Sequence, residues 1–166
     1  MDKNLEHLID RTATTYRNYR GGQDITTEGL YASTVVMPVV VRALGELGTD
    51  FRFAYIACAD WDRQANTYLQ NRVPGTVPPK PLDIDPDSLQ LLGTAYKRYS
   101  VDPKDSQLAE GETPSVVRDI TPILIRTLSQ MDPAMRLMSK TLSEMAMTVA
   151  SLSHDDPELE SAPIGL

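Results

Sequence analysis

Histidine and cysteine, the residues that most often carry chemistry, are nearly missing from this 166-residue chain: it has two histidines, His7 and His154, and one cysteine, Cys58. Two imidazoles near the chain ends starve any mechanism that needs paired imidazoles or a nucleophile with an oriented base. A lone cysteine makes no intramolecular disulfide, and these counts exclude a structural zinc site of the usual kind. No charged-then-apolar leader opens the sequence, so a reducing, cytoplasmic setting is the simplest expectation. Long apolar runs are also lacking. The longest stretch, Leu30 to Val41, is broken by Ser33, Thr34 and Pro38 and falls short of the roughly 20 residues a spanning helix needs, so no membrane span is expected.

Positive charge is in deficit. Lys+Arg total 16 against 23 Asp+Glu, a net charge of −7, which argues against a mainly electrostatic grip on nucleic acid while leaving room for a local basic face. Asp155, Asp156, Glu158 and Glu160 concentrate acidity in the tail, so the body before it is only mildly acidic. With 41% hydrophobic and 23% charged residues, the composition is that of a folding chain long enough to bury a core without staples.

Helical periodicity is the dominant signal. Leu5, Leu8, Ile9, Ala13 and Tyr16 share one face before Gly21-Gly22, predicting a helix over about residues 4–20. A second apolar segment begins near Thr26 and ends at Gly48. Its run Val35-Val36-Met37-Pro38-Val39-Val40-Val41 admits a strand, because β-branched residues suit strands and an interior proline costs a helix about 3 kcal/mol. No partner strand is evident, which favours a helix kinked at Pro38 or split in two. Phe51, Ala54, Cys58, Trp61, Ala65 and Tyr68 alternate by three and four on a third helix, with Thr49 or Asp50 as its cap. Prolines 74, 78, 79, 81 and 86 then make residues 74–87 a stiff connector.

Asp85 or Asp87 caps a fourth helix carrying Leu89, Leu92, Tyr96 and Tyr99. Thr113-Pro114 opens a fifth, with Pro122 predicting a bend or a fresh start capped by Thr121. Asp132-Pro133 repeats the cap-then-proline signature. From there Met131, Met135, Met138, Leu142, Met145, Val149 and Leu152 follow at spacings of 4, 3, 4, 3, 4 and 3, a heptad seam that fits either an internal core or a surface shared with a partner chain. The expected architecture is all-α: an irregular bundle of about six helices in one domain over residues 1–152, kinked near Pro38 and Pro122, with an acidic tail at 153–166 expected to be mobile.

Candidate chemistry is sparse. Cys58 lies on an apolar face beside Trp61, which predicts a buried, inert thiol. Asp83, Asp85 and Asp87 alternate but lack the glycine turn and terminal glutamate of a calcium loop, so capping and turn formation explain them. Glu6 with Asp10, and Asp60 with Asp62, have spacings common on solvated faces. Gly21-Gly22 and Gly45 with Gly48 read as helix ends and not as phosphate loops. Arg11, Arg17 and Arg20 interleave with Tyr16 and Tyr19, the composition of a stacking-plus-phosphate surface for single-stranded nucleic acid; otherwise Tyr16 packs inward and the arginines are solvated or pair with the tail.

Tyr31-Ala32-Ser33, then Pro38, then Leu44 with Gly45, resembles the pattern in the small helical subunits of type III CRISPR effector complexes, which line a guide–target channel. The resemblance is confined to about residues 31–45, and the asparagine-glycine-leucine signature after the proline is missing.

Taken together, the sequence points first to a non-catalytic interaction protein, an assembly subunit or adaptor that meets protein partners or itself, with no cofactor and no metal. A nucleic-acid-associated subunit of a larger particle, using the Arg/Tyr face of the first helix, is the alternative. An enzyme that builds its site from residues distant in sequence comes third.

Overall fold

A computed structural model describes residues 1–75, 77 and 79–154. Among them are six α-helices and no strand: α1 (Lys3–Arg20), α2 (Thr27–Leu47), α3 (Arg52–Arg72), α4 (Pro86–Val101), α5 (Thr113–Met131) and α6 (Arg136–His154). Single 3-10 turns at Thr49–Phe51, Ser106–Ala109 and Pro133–Met135 join them. The expected all-α bundle is what the chain forms. Residues 155–166, on which the tail expectation falls, lie outside the described residues; α6 itself runs two residues past Leu152.

Local chemistry explains most boundaries. The side chains of Asp2, Thr26, Asp85 and Asp132 each accept from a backbone N–H at a helix or turn start, satisfying donors that no intrahelical carbonyl reaches. Pro86, at the end of the predicted connector, is the first residue of α4, where its missing N–H costs nothing. Two caps fall elsewhere than expected. Thr113 is the first residue of α5, behind an N-cap at Glu112. Neither Thr49 nor Asp50 caps α3, because both lie in the preceding turn; the Asp50 carboxylate instead accepts from the Tyr96 hydroxyl of α4 at 2.7 Å.

Residues 35–41 are helical, and both α2 and α5 run through their interior prolines. Thr121 does not start a new helix; its hydroxyl is buried without a partner among the described residues. At Pro38 the strain is offset by packing. α2 touches α1, α3 and α4 and buries twelve residues. The connector also crosses it. The Leu82 N–H donates to the Val35 carbonyl at 3.0 Å, three residues before Pro38, on the turn that the proline ring crowds. α2 extends beyond the apolar run on both sides, and by length and composition alone it could cross a membrane. Its burial beneath three helices accounts for that apolarity.

α5 plays the matching part, packing against α1, α4 and α6. α1 and α4 therefore each bridge the two central helices, with α3 outermost beside α2 and α6 outermost beside α5. Close approach is built in where α4 meets α2: a Cβ on Gly93 would lie 2.5 Å from the Glu46 carbonyl oxygen, so only glycine fits there. All six helices contribute to one contiguous apolar core. Its polar links include the Trp61 indole N–H donating to the Ser33 hydroxyl at 3.2 Å, which in turn donates to the Gly29 carbonyl at 2.8 Å.

Candidate functional site

The heptad seam is turned into the chain's own core. Met131, Met135, Leu142, Met145 and Val149 are buried, and Met138 and Leu152 are partly buried against the same cluster. The seam is not one helix, however: Met131 ends α5 and Met135 closes the Pro133–Met135 turn, so only Met138 to Leu152 lie on α6, which lays them on α5 and on the Ser106–Ala109 turn. Of the two readings open in the sequence, the internal one describes where these side chains are, so a docking surface has to be sought on other faces.

The interleaved arginines and tyrosines of α1 are dispersed. Tyr16 is buried edge-on to Trp61, at 5.8 Å between ring centroids, and Tyr19 lies at 5.0 Å from the same indole and at 5.9 Å from Tyr68. Both rings are committed to an aromatic cluster between α1 and α3, which leaves no open platform on α1 for a base. Arg11 donates to Glu28 and contacts His7 at 3.0 Å. Arg17 donates to the Gln130 carbonyl and to the Thr14 hydroxyl. Arg20 alone of the three has no partner among the described residues.

The remaining candidates have structural work. Cys58 is fully buried with its Sγ 3.9 Å from the Met131 Sδ. Burial, reinforced by the Asp62 charge, pushes its thiol up to about 12, far from the thiolate that reactivity requires. Asp10 accepts from Arg126 at 2.8 and 2.9 Å and from Gln130 at 2.7 Å, tying α1 to α5. Those contacts, the Arg126 hydrogen bond first, hold its carboxyl down to about 2. Glu6 sits 4.0 Å from the same guanidinium. Asp60 pairs with Arg63 at 2.6 Å, whereas Asp62 is shifted upward by burial and accepts from Asn66. Asp85 caps α4. Among the described residues no three histidine, cysteine or carboxylate side chains gather as a metal would require. Gly21, Gly22 and Gly48 do end helices; Gly45 instead lies inside α2.

One surface stands out. The stripe at Phe51, Ala54, Cys58, Trp61, Ala65 and Leu69 consumes the buried face of α3, and Phe53, Tyr55 and Ile56 fall off it, 51%, 40% and 55% exposed. Tyr68, expected on the buried face, is also outside. Tyr55 and Ile56 form a ridge between two clefts, with Phe53 beside them on the wall of the first. One, about 570 Å3, opens toward Tyr16, Arg20, Asp60, Arg63 and Asp132. The other, about 410 Å3, runs over Gly45 and Gly48 to Arg52 and Tyr55; the two glycines leave the room, since a Cβ on Gly45 would already reach 3.5 Å from the Tyr55 ring. Arg52, like Arg20, has no partner among the described residues. The signal was present in Phe51-Arg52-Phe53-Ala54-Tyr55-Ile56, which holds more apolar bulk in one and a half turns than a single stripe can bury.

Neither the families of known proteins, nor the curated proteins, nor the solved structures contain a match to this chain.

Proposed function

We propose that this chain is a non-catalytic interaction protein, an assembly subunit or adaptor that meets its partner through the exposed ridge of α3. The observation that carries the reading is the outward placement of Phe53, Tyr55 and Ile56 side by side on one helix, with a cleft on either side. Scattered exposed apolar residues are ordinary, whereas contiguous ones mark sites of association. Aromatic anchors with arginine at hand, here Arg20 and Arg52, are the chemistry enriched at the centres of interfaces. Purification of the untagged protein from its own cell, followed by light scattering, tests this. A partner or a self-associated species is expected, and Phe53→Ser with Ile56→Ser should release it while leaving the helical content intact. A strictly monomeric chain without a partner, or a complex indifferent to both substitutions, overturns the reading.

A second reading, association with nucleic acid, draws on the same ridge, because its open rings are the stacking groups that α1 lacks, and Arg52 of α3 with Arg20 of α1, neither with a partner among the described residues, could meet phosphate. Binding of single-stranded RNA or DNA that falls steeply with salt and is lost in Arg20→Ala with Arg52→Ala would favour it. No binding at low salt would remove it for the isolated chain.

A further inference from the structure

The α3 ridge carries charge of both signs, and the signs are placed symmetrically about its apolar centre. Arg52 lies four residues before Ile56, and Asp60 four residues after it. On one helix these three positions form a single oblique row, with each charge about 6 Å from Ile56 along the axis. Arg52 is exposed and has no partner among the described residues. Asp60 uses one carboxylate oxygen, Oδ1, on Arg63 at 2.6 Å, and its side chain stays 47% exposed on the wall of the larger cleft. Its Oδ2 is open to a second donor. Arg20 and Asp132 repeat the mixture of signs in the same cleft.

A row of this kind is complementary to itself. A two-fold axis through Ile56, perpendicular to α3, lays a second α3 antiparallel on the first and exchanges the two ends of the row, so that Arg52 of each copy faces Asp60 of the other. The same rotation brings the two Ile56 side chains together at the axis. It also sets Phe53 of each copy, three residues before the axis, opposite Ala59 of the other, three residues after it. A large side chain then meets a small one, as interdigitating ridges require, and Ala57 and Ala59 line the larger cleft where the ring would enter. A uniformly acidic or uniformly basic partner does not match the row, because it meets a like charge at one end whichever sign it carries.

We propose that the partner of the α3 ridge is a second copy of this chain, bound as an isologous dimer whose α3 helices cross antiparallel at Ile56, with Arg52 of each paired to Asp60 of the other. This rests on the reading of the ridge as an association surface and adds its occupant and register. Such a contact covers both ridges at once, so assembly through it stops at two.

Charge reversal in the purified full chain tests the register. By light scattering the parent should have twice the mass of one 18.4 kDa chain. Arg52→Asp alone sets two carboxylates face to face at both ends of the contact, and Asp60→Arg alone sets two guanidiniums there. Each should raise the dimer dissociation constant by about tenfold or more at low salt, with the circular dichroism of the helices unchanged. An equimolar mixture of the two variants should dimerise again, because both cross-contacts then join an aspartate to an arginine. A mixture that stays monomeric, or single variants that dimerise as tightly as the parent, overturn the proposal. So does a parent that is monomeric when pure; the ridge reading then survives only if a different protein, co-purified from its own cell, is released by Phe53→Ser with Ile56→Ser. A dimer that withstands those two serine substitutions overturns both.

Discussion

Asp10 shows what a single side chain contributes to holding this bundle. It receives both arms of the Arg126 guanidinium and the Gln130 amide, and its carboxyl falls from 3.8 to about 2. Because the folded value is depressed, the stabilisation is complete above about pH 4 and is lost as the pH drops through 2. The pair is about two-fifths exposed, and solvent screening limits its worth to about 1 kcal/mol. Asp10→Asn should therefore lower stability by about that amount at pH 7, shown by urea titration, with the difference from the parent vanishing near pH 2. Thr121 works in the opposite sense. Its hydroxyl is buried beside Pro122 with no partner among the described residues, so Thr121→Val, which keeps the shape and removes the polar atom, should raise the melting temperature by the equivalent of about 1 kcal/mol. A lower melting temperature would show that the hydroxyl is satisfied.

At the scale of the helix, α6 supplies the clearest contrast between an inward and an outward face. Met145 is fully buried and Met147, two residues on, is exposed. Met145→Ala should cost about 2–5 kcal/mol and Met147→Ala less than about 0.5, measured by denaturant unfolding; equal costs would deny the seam its place in the core. Much at this scale was legible in the sequence. Heptad spacing located α6 from Met138 onward, and Thr26, Asp85 as one of two candidates, and Asp132, which caps the turn leading into α6 and not α6 itself, marked where their elements begin, because capping is a contact between near neighbours. The course of the chain through Pro38 was less legible, since a proline's local cost is offset by α1, α3, α4 and the Leu82 amide, all remote in sequence. The candidate surface was harder still. Tyr16 was legible on the apolar face of α1, but that Tyr19 joins it against Trp61, more than forty residues away, was not, and Phe53 and Ile56 were hidden in a run read only for its buried stripe.

Across the whole molecule, α1 and α4 each bridge the two central helices, so neither the α2 side nor the α5 side keeps its core if the other departs. Unfolding should be a single transition. Trp61, the one tryptophan, is buried on α3 and reports that side, while far-UV circular dichroism averages all six helices; the two midpoints in urea should coincide. An earlier tryptophan transition would mean that α3 detaches alone. Cys58 adds a time axis to the same question. Its thiol is enclosed between α3 and the end of α5 and held in the unreactive protonated form, so a thiol reagent meets it only when that contact opens. The rate at which the native protein consumes such a reagent becomes a clock for its rarest excursions, readable without a denaturant and without altering a residue.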